Sequence, residues 1–165
     1  DGFLLGGWGK RLAIWSRALC LIAHSPLTGV GLDCFVPATA ALCPLPRWAQ
    51  GHITHAHNLF LQLAVDLGLP GLSAYLVVLA SAMGQALGAW RSLRRIGRWP
   101  EALCAVACVA SLTVLIIHGL LDVALWGNKG DFLPWVVLGL SALLNRLAQE
   151  TARAHTLSAK EPEGS

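Results

Sequence analysis

Charged side chains are scarce in this sequence: only 13% of its 165 residues are Asp, Glu, Lys or Arg, against 55% apolar, and the mean hydropathy is +0.59. A soluble domain carries about a quarter charged residues, so water is not the only solvent here and the chain reads as a membrane protein. The formal net charge of +3 is small and the arginines gather in two places, which excludes a nucleic-acid groove and points to topology signals. Five cysteines are too few and too scattered for a disulfide framework. Cys104 and Cys108, one helical turn apart in an apolar run, read as packing residues, while Cys34 and Cys43 share a loop and could pair if it faces an oxidising compartment. No charged region with a cleavage site follows Asp1, so no secretory signal is expected, and the chain reads as a piece of a longer polypeptide. No internal repeat is evident.

What is present is a succession of uncharged runs. Residues 67–90 hold no charge and satisfy the roughly 20 residues a crossing needs; they end in Arg91, Arg94, Arg95 and Arg98. A second run covers 102–122 and stops at Asp122, with Trp126 suited to the interface beyond it. A third, in the span 132–148, is uncharged only from Phe132 to Asn145 and is short, but Trp135 can anchor one end while Arg146 snorkels at the other. The positive-inside rule makes 91–101 a cytoplasmic basic loop, 123–131 a periplasmic turn and 1–66 a periplasmic loop region with amphipathic helices. Residues 149–165, polar and ending in Glu161-Pro162-Glu163-Gly164-Ser165, read as a disordered cytoplasmic tail. The expected architecture is thus all-α: an extracytoplasmic helical loop followed by three transmembrane helices.

Within the first third, residues 8–23 have helical periodicity but contain Lys10, Arg11 and Arg17, so they suit an interfacial or buried helix ended by Ser25-Pro26. On that helix Arg11 falls within the arc of Ile14, Trp15, Ala18 and Ile22, whereas Arg17 and Lys10 lie on the polar side. An arginine aimed at an apolar face needs an anionic partner, and diphosphate or carboxylate fits its planar fork; the alternative is snorkelling to water. A further helix is expected to begin near Thr54 as N-cap, with His57 in its first turn and Asn58, Gln62 and Asp66 on one polar stripe. The positive helix end disfavours imidazolium, and a neutral His57 is what a general base requires. A structural histidine bonded to a loop carbonyl is the competing reading. His52, His55 and His57 also invite zinc, but His55 and His57 would not share a helix face, and no cysteine or carboxylate stands beside them in sequence. His118 and Asp122, four apart, are expected to face each other, either orienting a substrate or locking two helices.

Arg11-Leu-Ala-Ile-Trp15, His24-Ser-Pro-Leu-Thr-Gly-Val-Gly31, Phe35, His55-Ala-His57-Asn58-Leu-Phe-Leu-Gln62 and Gly68-Leu-Pro-Gly71 resemble, in order and spacing, the O-antigen ligase and polymerase family. Gly119-Leu-Leu-Asp122 and the final Trp-containing run are similar to that family's closing helices, so the resemblance covers about Arg11 to Leu147. It implies a GT-C-type glycosyltransferase of the bacterial inner membrane, working on the periplasmic face without metal, nucleotide sugar or other cofactor. The donor would be a glycan on undecaprenyl diphosphate and the acceptor lipid A-core or another repeat unit. The resemblance also implies His57 as general base and Arg11 as the diphosphate ligand, and we expect Asn58, Arg17, His55 and Asp122 as substrate-binding neighbours. Full members have further spans before this region, which makes the chain their C-terminal portion, inactive by itself. The alternatives are a zinc-dependent membrane hydrolase built on His52, His55 and His57, and a non-catalytic membrane interaction subunit. Partners would be the lipid-linked donor, the acceptor and membrane lipids, with no nucleic acid.

Overall fold

The computed structural model describes residues 2–45, 53–123 and 132–158. These form five helices, α1 (Gly2–His24), α2 (Phe35–Leu42), α3 (Leu59–Arg95), α4 (Trp99–Gly119) and α5 (Leu133–Ser158), with no strand among the described residues. The contacts divide into two compact units, one of residues 1–76 with 116–128 and one of 77–115 with 129–165.

In the first unit, α1 ends at His24, where Ser25-Pro26 stops it as expected. Its buried face, Ile14, Ala18 and Leu21, packs with Phe35, Cys43, Ala56 and Val65. Cys43 bonds Cys20, not Cys34, which stays free. The Cys34–Cys43 pairing that the sequence leaves open does not form: Cys20 sits in the closing turns of α1 and α2 packs on that helix, so residue 43 at the end of α2 comes to Cys20.

α3 is interrupted at Gly68, whose φ of 72° and ψ of −179° lie outside the helical region, and Pro70 follows. The break changes which backbone groups need partners. The helical donor to Asp66 O would be the N–H of residue 70, which proline lacks, and the donor to Val65 O would be Leu69 N–H, which turns instead to Pro26 O at 2.8 Å. The turn after α1 supplies replacements: Val30 N–H donates to Val65 O (2.7 Å) and Gly31 N–H to Asp66 O (3.2 Å). The Pro-Leu-Thr-Gly-Val-Gly and Gly-Leu-Pro-Gly motifs are therefore two halves of one backbone joint. Its closeness needs glycine, since a Cβ on Gly29 would stand 2.5 Å from the Asp66 backbone and one on Gly68 2.6 Å from that of Leu27.

The second unit is packed by small residues. Ala86, Ala89 and Leu93 of α3 meet Ala102, Ala105 and Cys108 of α4 and Leu144 and Ala148 of α5, a pattern that lets helix backbones approach. Cys108 is a packing residue, as expected, but Cys104 is exposed.

Among the described helices, α3 and α4 are long and apolar enough to cross a membrane. Their most apolar windows are only 33% buried, whereas the core helix of a soluble protein would be mostly enclosed. Val77, Leu103, Val114 and Ile117 all point outward, so these helices and their surroundings mark a membrane protein. α5 does not reach the same standard: residues 133–145 are uncharged, but Arg146, Glu150 and Arg153 follow on the same helix. The expectation of a tail from residue 149 is corrected over its first part. Residues 149–158 continue α5, held by an Arg146–Glu150 pair (3.0 Å) and by Arg98 donating to Thr151 Oγ1 at 3.5 Å. The expected interface residue Trp126 and residues 159–165 lie outside the described residues.

Candidate functional site

The site is assembled where α4 ends. After Gly119 the chain leaves the helix, and the Leu120 and Leu121 carbonyls lie outside its hydrogen-bond ladder. Side chains from far upstream take them. Asn58 Nδ2 donates to Leu120 O at 2.9 Å, and Arg11 Nη1 donates to Leu121 O at 2.6 Å. His57 Nδ1 lies 3.4 Å from Oδ1 of the next residue, Asp122. Three residues of the sequence motifs thus rest on three consecutive positions, 120, 121 and 122.

His57 stands just before α3, not inside its first turn. Asn58 is the N-cap: its Oδ1 accepts the N–H groups of Phe60 and Leu61, both at 3.0 Å. The expected start at Thr54 is corrected, because Asn58 satisfies the orphan donors of a helix beginning at Leu59. With both polar atoms engaged inside the protein and only 9% exposure, Asn58 positions the corner and offers little to a substrate. His57 itself has φ +48°, a conformation rare for a side-chain-bearing residue.

Two contacts hold this bend. His55 Nδ1 accepts the His57 backbone N–H at 3.1 Å, and the two rings lie 4.2 Å apart, centroid to centroid. Behind them, Gln62 Oε1 accepts the Ala56 N–H (2.8 Å) while its Nε2 donates to Asp66 Oδ1 (2.9 Å). The polar stripe of Asn58, Gln62 and Asp66 therefore faces inward as a strap for the histidine loop.

Asp122 meets His57 instead of His118, correcting the expected pair. That pair presumes a helix continuing to residue 122, whereas α4 stops at Gly119 and Asp122 turns its carboxylate toward His57 and the Val123 N–H. Burial alone would raise the Asp122 pKa, but the Val123 hydrogen bond and the nearby imidazoles of His57 and His55 hold it below the ordinary carboxylate value. A carboxylate at Nδ1 favours the tautomer with its proton there, leaving Nε2 of His57 with the free lone pair. His55 is shifted below the usual histidine value by burial and then by His57, with Asp122 opposing.

Residues 3–76 match the O-antigen ligase family. The match contains Arg11, both halves of the backbone joint, His55, His57 and Asn58, and it bears out the resemblance read from the motifs. It ends before Gly119-Leu-Leu-Asp122, so the acceptors and carboxylate of the corner lie beyond it. No curated protein matches the chain. The O-antigen ligase match over residues 3–76 and the two apolar helices point to a membrane protein with glycosyltransferase-like function.

Arg11 is half-buried and meets a carbonyl where an anion was expected; among the described residues one of its five donors is used, and Trp8 lies beneath the guanidinium at 5.9 Å. Arg17 is not brought to the corner by any described contact. It lies some 240° around α1 from Arg11, and its buried Nε has no hydrogen-bond partner among the described residues.

The metal reading is tested by donor chemistry. Donor atoms of His55, His57 and Asp122 all lie within 4.8 Å of one another, while His52 lies outside the described residues. Yet a neutral His55 that accepts an N–H at Nδ1 carries its proton on Nε2 and has no second lone pair for a metal. The carbonyls of residues 120 and 121 were not foreseen as part of the site. Their signal was the glycine ending an apolar run just before an aspartate.

Proposed function

We propose that this chain supplies the catalytic corner of a glycosyltransferase that moves a polysaccharide or oligosaccharide from undecaprenyl diphosphate to lipid A-core or to another repeat unit. His57 Nε2 accepts the proton of the acceptor hydroxyl as its oxygen bonds the anomeric carbon. The carbon–oxygen bond to diphosphate breaks, and the electron pair leaves with the diphosphate, whose charge the other donors of Arg11 neutralise. Asp122 holds the His57 tautomer, His55 and Gln62 fix the bend, and Asn58 locks the corner to the end of α4; we assign Arg17 no step. The reading places this corner on the periplasmic face of the inner membrane, with α5 completing a third crossing in a GT-C-type arrangement. The observation that carries it is the convergence of Arg11, His57 and Asn58 on residues 120–122.

The test is glycan transfer by the natural full-length gene product. His57→Ala should lower transfer about 10²–10⁴-fold at unchanged protein level, and Arg11→Lys by about tenfold or more, because a point charge cannot reproduce a forked grip. Transfer that survives His57→Ala would sink the proposal.

A further inference from the structure

The second unit carries a basic cluster that the transfer reading leaves unused. α3 finishes with Arg91, Arg94 and Arg95, whose i, i+3, i+4 spacing gathers them on one side of the last turn, opposite Leu93, which is 0% exposed in the core. All three are exposed. Glu101 and Glu150 are the only acidic residues among the described residues of this unit, and both are taken, Glu101 by Arg98 and Glu150 by Arg146. Arg94 stacks on the Trp90 ring at 5.0 Å, which orders the side chain without cancelling its charge. The negative end of the α3 dipole lies here and eases the mutual repulsion. Across the short turn, Trp99 opens α4 with 58% exposure, as suits an aromatic ring at the headgroup level of a bilayer.

We infer that Arg91, Arg94 and Arg95 bind the phosphodiester headgroup of an anionic phospholipid, with Trp99 lying in the interface beside it. Charge complementarity carries the assignment, because planar guanidinium forks fit phosphate oxygens two at a time and the cluster sits where a membrane helix leaves the apolar layer. It requires the membrane placement of α3 and is independent of glycan transfer.

The experiment is native mass spectrometry of the full-length protein released from bilayers of phosphatidylcholine and phosphatidylglycerol in equal amounts. Retained lipid should favour phosphatidylglycerol by about tenfold, and raising salt to about 0.5 M should erode that preference. R91Q/R94Q/R95Q should bring it close to parity with the melting temperature unchanged. Equal retention of the two lipids in the parent, a preference indifferent to salt, or one that survives the triple substitution would overturn the inference. Displacement by inorganic phosphate at matched concentration would equally overturn it by assigning the cluster to a free anion.

Discussion

Glycine means different things in the two units. A side chain on Gly29 or Gly68 of the first would strike backbone at 2.5–2.6 Å, and both have positive φ; at Gly84 and Gly139 of the second, nothing lies within 4 Å of the place a Cβ would take. Polar groups divide in the same way. Around the histidine corner, backbone amides and carbonyls are answered by distant residues such as Gln62, Asn58 and Arg11, whereas the second unit is packed by alanine and leucine on regular helices. The lesson is that positioning a reactive side chain uses non-repetitive hydrogen bonding, while building a helical support uses only side-chain size.

Substitutions can break this contrast. Gly29→Ala and Gly68→Ala should each cost on the order of 3 kcal/mol, through clash and an unfavourable φ together, read as a lowered melting temperature in detergent. An unchanged melt would show that the joint is looser than drawn. Asn58→Ala should cost about 1–2 kcal/mol, combining a lost N-cap with a lost tether to Leu120. Hydrogen exchange at Phe60 and Leu61 should quicken; protection as strong as the parent's would remove the capping role. In the second unit the sign should reverse, with Gly84→Ala gaining up to about 1 kcal/mol from helix propensity alone. A loss there would mean that the site is packed after all.

The smallest effect is in pH. His55 has its folded pKa depressed below the unfolded value of 6.5, so the unfolded chain takes up the proton first as pH falls. Its contribution to stability is whole above that value and drains away as pH drops toward the folded pKa. His55→Gln should flatten the acid side of a plot of melting temperature against pH, and an identical slope in parent and variant would contradict it.

Much of this organisation was legible. The stop after α1 and the two long apolar helices follow from periodicity and charge, and the motifs named Arg11, His57, Asn58 and Asp122, which the fold brings to one corner. Pairings were less so. Asp122 was assigned to His118 because four-residue spacing implies a shared helix face, a rule that lapses once the helix ends at Gly119. Thr54 and Asn58 are both good N-caps by composition; Asn58 caps the helix through Phe60 and Leu61 and is also tethered to the carbonyl of Leu120, from another part of the chain. Cys34 is the near neighbour of Cys43 in sequence, but the docking of α2 on α1 selected Cys20. Local rules locate the elements; the choice between equivalent partners is made by tertiary contact.

One practical consequence follows for dissecting the protein. A truncation at residue 76 would retain every motif inside the family match, yet remove the two peptide oxygens and the aspartate against which those motifs are braced. Such a piece would carry the family's signature while its arginine and imidazole had lost their common anchor. The boundary of sequence similarity and the boundary of a workable site are here different places on the chain.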